Sequence, residues 1–174
     1  MKLQLADALS ILARTPAALD AMLRDLPEAW LHANEGPETW SPFDVVGHLI
    51  HGERTDWMAR LRTILEHGDS RPFEPFDRFA MFEESRGKTI AELLETFATL
   101  RAQNLETVRA LQLEPADLVR RGMHPSLGSV TLEQLLATWV THDMTHMVQI
   151  SRVIAKQFKD EVGPWREYIG VLNR

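Results

Sequence analysis

From Thr89 to about Leu113, apolar side chains recur at Ile90, Leu93, Leu94, Phe97, Leu100, Leu105, Val108 and Leu111, the spacing of one face of a helix. A stripe of that length is satisfied only by burial against other helices, which constrains the fold more than any other feature of the chain. Three further segments repeat it. Leu3, Leu5, Leu9, Ile11 and Leu12, followed by a second start at Thr15-Pro16, predict one helix with a break, closed by Pro27. Ser41-Pro42 opens a helix to about His67, whose stripe is Val46, Ile50, Trp57, Leu61 and Ile64. Thr131, with Glu133 and Gln134 behind it, makes a capping box that opens a last helix to about Phe158.

Between these segments, residues 32–41 read as a loop that leaves His32 in solvent. The connection at 68–87 is broken by Gly68, Pro72, Pro75 and Gly87 and carries Phe73, Phe76, Phe79 and Phe82. It is either a loop pinned to the bundle by its aromatics or a lid over a pocket, where Arg78 and Arg86 could meet an anionic ligand. After Gly163-Pro164, Trp165 to Leu172 predict a short amphipathic C-terminal helix packed on the bundle. No period-two pattern of useful length, internal repeat or low-complexity tract is present. The prediction is an all-α, antiparallel four-helix bundle forming a single domain over residues 1–174.

Composition narrows the partners. A net charge of −6 with no basic patch argues against nucleic acid. No apolar run approaches the length of a membrane span, and Gln4 and Asp7 interrupt any signal-peptide core, so a cytoplasmic protein with no membrane partner is expected. The chain has no Cys, which removes disulfides, thiolate ligands and a cysteine nucleophile. Any thiol chemistry here must use a thiol supplied by a small molecule.

The polar residues of the last helix are its unusual part. His142 and His146 lie four apart, so their imidazoles share one helix face and can converge on a single ion. On a wheel of about 100° per residue with Leu132 at the origin, His146 falls at about 320°, Asp143 at about 20° and His142 at about 280°. The stripe of Leu132, Leu135, Leu136, Trp139, Ile150, Val153 and Ile154 therefore contains His146 and Asp143 and has His142 on its edge. Each unpartnered polar group there would cost on the order of 1–3 kcal/mol. A divalent metal would satisfy them together, as would a hydrogen-bonded core network.

The candidate for a third nitrogen is His48, which lies off its own helix's apolar stripe, on a face with Gly52, Thr55 and Ala59. That small-residue face either packs tightly or borders a cavity. His51 could substitute, although solvent exposure is its expected fate, and His67 at a helix end has no expected role in a site. Glu53 lies within the apolar stripe, at an open end of the bundle or paired with a polar group inside it. Asp143 or Glu53 could accept the outer N–H of a ligand imidazole or act as a catalytic base. The alternative for Asp143 is a buried hydrogen bond to an indole or another core donor.

In order and separation, three stretches resemble the DinB-like family of four-helix-bundle proteins: Trp40-Ser41-Pro42-Phe43-Asp44-Val45-Val46-Gly47-His48-Leu49, His124-Pro125 with Gly128 and Thr131-Leu132, and His142-Asp143-Met144-Thr145-His146 with Gln149-Ile150. The resemblance covers nearly the whole chain. It implies that His48, His142 and His146 are a metal triad, binding nickel or zinc. It also implies kinship with transferases and isomerases that join a low-molecular-weight thiol, such as bacillithiol or mycothiol, to an electrophile. The leading expectation is therefore a metal-dependent thiol S-transferase acting on a small-molecule electrophile. A hydrolase activating water at the same ion, and a non-catalytic bundle with a structural site, are the alternatives. A homodimer is expected.

Overall fold

The computed structural model describes residues 3–173; Met1, Lys2 and Arg174 lie outside it. The first helical layer is α1 (Leu5–Leu12) followed by α2 (Thr15–Leu23). A single turn, α3 (Glu28–Leu31), leads to α4 (Pro42–Thr55) and α5 (Trp57–His67). The chain continues through α6 (Ala80–Glu84) to α7 (Ile90–Ala110), a turn α8 (Pro115–Leu118) and α9 (Leu132–Lys156). The starts of α4, α7 and α9 carry complete capping boxes, Ser41 with Asp44, Thr89 with Glu92 and Thr131 with Gln134, each satisfying N–H groups that have no partner within the helix. No helix among the described residues is long and apolar enough to cross a membrane.

Long-range contacts set the helix directions. Leu12 and Arg24 meet Arg101 and Glu95, so α1–α2 runs against α7. His48 and Trp57 meet His146 and Trp139, so α4–α5 runs against α9. Ser85 lies on Gly47 while Glu53 meets Arg101 and Asn104, so α4–α5 and α7 run parallel. The Phe-rich connection is long because it must carry the chain back along the bundle between two parallel helices.

Four details depart from the sequence expectation. The helix predicted from Pro42 to His67 divides at Asp56, where Asn104 Nδ2 donates to the Glu53 carbonyl at 2.9 Å. A side chain reaching into the helical ladder in this way is a recognised cause of a break. Residues expected to be irregular form an antiparallel hairpin, β1 (Arg121–His124) with β2 (Gly128–Thr131). His51 is buried rather than exposed, because Glu84 of α6 folds over it and accepts its Nδ1 at 2.9 Å. The C-terminal segment forms 3-10 turns, Gly163–Tyr168 and Gly170–Asn173, that bury Leu172 and leave Trp165 and Tyr168 in solvent.

The apolar core has two halves. Leu12, Trp57, Leu61, Leu105, Leu136 and Trp139 fill one end, and Leu19, Val46, Ile50, Leu94, Phe97 and Ile150 the other. On α7 the residue between Phe97 and Leu105 at helical spacing is Arg101; on α9 Asp143 lies between Trp139 and Ile150; on α4 Glu53 lies between Ile50 and Trp57. A buried polar layer thus separates the halves, and the histidines stand beside it.

Candidate metal centre

In the polar layer, Arg101 is 1% exposed. Its Nη1 donates to Asp143 Oδ2 (2.6 Å) and to the Leu12 carbonyl (2.8 Å), and its Nη2 to Asp143 Oδ1 (3.0 Å) and Glu53 Oε1 (2.8 Å). Trp139 Nε1 and Asn104 Nδ2 complete the shell of Glu53 at 3.0 and 2.9 Å. The guanidinium also lies over the Phe97 and Trp139 rings at 4.9 and 5.2 Å. Both carboxylates expected to serve a ligand histidine or act as base are therefore engaged elsewhere. Neither hydrogen-bonds an imidazole, and the donor that claims them is Arg101, which the sequence reading did not single out. Its signal lay in the spacing: Arg101 is four residues from Phe97 and four from Leu105, inside the cleanest stripe of the chain.

His142, directly before Asp143, and His146, about one turn after it, meet His48 across the groove between α9 and α4. His142 Nε2 lies 3.0 Å from His48 Nε2 and 3.1 Å from His146 Nε2. The Ser41 capping box fixes the start of α4, so that His48 faces α9 two turns in. His51 is not part of the trio and faces Glu84 instead. Aromatic rings wall the site. Trp40 lies 4.8 Å from the His48 ring, Phe76 meets it edge-on at 5.6 Å, and Trp57 meets His142 edge-on at 5.1 Å. Of the small-residue face of His48's helix, Gly52 borders a cavity of about 480 Å³, with Asp56, Arg60, Arg78, Thr138 and Gln149 also in its wall, while Thr55 and Ala59 are exposed away from it. A larger groove between α2 and α7, about 610 Å³, holds none of the histidines.

Protonation follows from this enclosure. Burial, reinforced by the neighbouring His146, pushes His48 down to about 3, and burial with the other two rings does the same to His142. His146 is also lowered by burial, opposed by its hydrogen bond to Gln149 and the nearby Asp143 charge. Three neutral imidazoles, with His142 Nε2 about 3 Å from each of the other two Nε2 atoms, are poorly satisfied by one another, since each neutral ring has one N–H and one lone pair. His146 Nδ1 donates to Gln149 Oε1 at 2.9 Å, which directs its Nε2 lone pair into the trio. The Nδ1 atoms of His48 and His142 are buried without a hydrogen-bond partner among the described residues.

A shared cation removes the conflict among the Nε2 atoms. With metal–nitrogen distances of about 2.05 Å, ligand nitrogens lie about 2.9 Å apart in an octahedral face and about 3.4 Å apart in a tetrahedron. The two short separations, 3.0 and 3.1 Å, fall between these values. His48, His142 and His146 are also the group of metal-ligating side chains among the described residues whose donor atoms all lie within 4.8 Å of one another. The residues present fit a divalent ion.

The comparisons with known proteins agree with the architecture. The profile of the DinB superfamily matches residues 11–150. Among solved structures, YfiT from Bacillus subtilis, described as a probable metal-dependent hydrolase with an unusual four-helix bundle topology, is similar with a TM-score of 0.76 and 21% identity over 87% of this chain and 86% of that one. TT2238, described as a four-helix bundle protein, is similar with a TM-score of 0.57 and 20% identity over 84% of this chain and 97% of that one. At these identities the likeness is one of fold. No curated protein matches.

Proposed function

The chain belongs to the DinB superfamily, and from that premise we propose that it is a metal-dependent enzyme in which His48, His142 and His146 hold a divalent ion, nickel or zinc, for the transfer of a low-molecular-weight thiol to an electrophilic carbon. The observation that carries this reading is the convergence of three neutral imidazole nitrogens on one point at the wall of a cavity. Three neutral ligands leave a divalent ion its full charge, which lowers the pKa of a thiol or water that it binds. The chain itself has no thiol to bring. In the transfer, the thiol's S–H proton would pass to solvent in the open cavity, its sulfur would bond to the electrophilic carbon, and the leaving group would depart with the bonding pair of the carbon–leaving-group bond that breaks.

The protein's own side chains supply position and exclusion of water. Trp40, Trp57 and Phe76 enclose the histidines, and Gln149 holds the His146 tautomer. Arg101 fixes Asp143, the residue after His142, so the register of α9 against α4 is set beside the ligands.

One observation favours a second reading, hydrolysis by activated water. Asp56, at the α4–α5 break, is a carboxylate in the cavity wall, and burial raises its pKa against the opposing charges of Arg60 and His51. It would replace Glu53 and Asp143 as the base because, although Arg60 pairs with it at 2.6 Å, it lines the cavity and they do not. The YfiT description points the same way for that protein.

Elemental analysis of the purified protein, followed by assays of the metal-loaded form, tests both. S-transfer predicts metal-dependent consumption of a chloronitroaromatic electrophile only with an added thiol. Hydrolysis predicts metal-dependent turnover of a nitrophenyl ester with no thiol present. Absence of stoichiometric metal overturns both.

A further inference from the structure

The cavity beside the histidines is positively charged in an acidic protein. Its wall contains one carboxylate, Asp56, and two guanidinium groups, Arg60 and Arg78. With the imidazoles neutral this leaves one positive charge before any ion is bound, whereas the chain as a whole carries −6. Arg60 Nε meets Asp56 Oδ1 at 2.6 Å in a largely buried ion pair, and its guanidinium lies over the Phe73 ring at 5.5 Å. That arrangement holds the group beside the cavity. Arg78 has no acidic partner among the described residues at all, unlike Arg86, which pairs with Glu83 away from the cavity.

Arg78 is presented by an anchored segment. Phe73 N–H donates to the Met123 carbonyl at 2.9 Å, and Phe76 packs against His48 and His51. Asp77 Oδ1 accepts the Phe79 N–H at 2.9 Å, closing a turn around Arg78. Arg78 lines not only this cavity but also the adjoining groove of about 700 Å³, with which the cavity shares Trp40 and Gln149. It stands where a ligand would pass from the groove to the histidines. The rest of the cavity offers aromatic faces at Trp40, Trp57 and Phe76.

Resting on the reading that this cavity is the site of reaction, we infer that its substrate is a small organic anion, whose carboxylate is held by Arg78 and Arg60 while its apolar body lies against Trp40, Trp57 and Phe76. Guanidinium groups suit this role because their donors form a planar fork that matches a carboxylate.

Phenylacetate and its uncharged counterpart phenylacetamide are suitable probes, with binding followed by calorimetry on the purified protein and again after chelation. The expected result is a preference for phenylacetate of about tenfold that survives chelation, disappears in Arg78→Gln and is partly restored in Arg78→Lys. Arg78 is exposed, so these variants leave the core untouched. Equal binding of the two probes, binding of neither, or a preference unchanged in Arg78→Gln overturns the inference. A preference that vanishes on chelation also overturns it, because the ion rather than the arginines would then hold the carboxylate, while the metal reading would stand. A preference that persists in protein found to contain no metal supports the anion site and removes the support for metal-dependent chemistry.

Discussion

Arg101 and Asp143 close a two-bond fork at the centre of the bundle, with Nη1 and Nη2 donating to the two carboxylate oxygens at 2.6 and 3.0 Å, both residues being essentially inaccessible to solvent. Two buried carboxylates depend on this one cation, because Glu53 takes a further bond from Nη2. Replacing Arg101 with Met keeps the volume but leaves both carboxylates without their counter-charge. The loss of one member of a buried pair costs about 3–5 kcal/mol, so Arg101→Met is expected to lower the urea midpoint by a corresponding amount. Arg101→Lys should recover only part of the loss, since an ammonium cannot form the fork. Equal midpoints for wild type and Arg101→Met would show that the network does not hold the bundle.

The metal site makes a separate prediction. His48→Ala is expected to abolish stoichiometric metal in the purified protein, as measured by elemental analysis, while preserving the helical circular-dichroism signal. The ring stands at a cavity wall rather than in either half of the apolar core, so its removal should be tolerated. Full metal occupancy in the variant would remove His48 from the ligand set.

Those two sites were unequally legible in the sequence, for reasons that the structure makes plain. The helix starts at Ser41, Thr89 and Thr131 are local chemistry, a hydroxyl and a carboxylate or amide three residues on, and could be read directly. The placement of His146 and Asp143 in a core stripe was likewise a matter of periodicity within one helix. The partners were not, because spacing along α9 carries no information about what faces it. Asp143 was visible as a buried acid, but its cation is 42 residues away on α7. His51 appears solvent-facing until α6, 33 residues further on, folds Glu84 against it. The hairpin was invisible because strands of four residues are too short to show a period of two.

Gly122 in that hairpin tests how tightly the Phe-rich connection is fastened. A Cβ there would lie 2.7 Å from Ile64 Cγ1 and 2.8 Å from two carbons of the Phe73 ring, so β1 sits against α5 and Phe73 only because the residue has no side chain. Gly122→Ala is expected to cost about 1–3 kcal/mol by overpacking, read as a lowered thermal midpoint. An unchanged midpoint would mean that Phe73 can move aside without cost.

Acid should weaken the metal-free fold before the ordinary carboxylates titrate. His48 and His142 are held neutral by burial, at about 3 against a reference of 6.5. The unfolded chain therefore takes up protons first, and stability present above about 6.5 is lost progressively as pH falls toward 3. Urea midpoints of chelated protein should decline between pH 7 and pH 5, and the double variant His48→Gln, His142→Gln should flatten that decline. Bound metal should be released over the same range, because protons compete for the same nitrogens. A midpoint independent of pH from 7 to 5 would contradict the burial of the two rings.

Gln149 gives the most selective test of the ligand geometry. Its Oε1 accepts the His146 Nδ1–H at 2.9 Å, and this bond sets which nitrogen of His146 offers its lone pair to the trio. Removing it with Gln149→Leu leaves the side-chain volume nearly unchanged but frees His146 to rotate or exchange tautomers. Loss of such an outer hydrogen bond typically weakens metal binding by about 10- to 100-fold, and that is the drop expected in a competitive chelator titration. Gln149→Glu should retain or strengthen binding, since a carboxylate accepts the same N–H and adds charge opposite to that of the ion. If Gln149→Leu bound metal as tightly as wild type, His146 would be held by its packing against His142 and Trp40 rather than by this hydrogen bond.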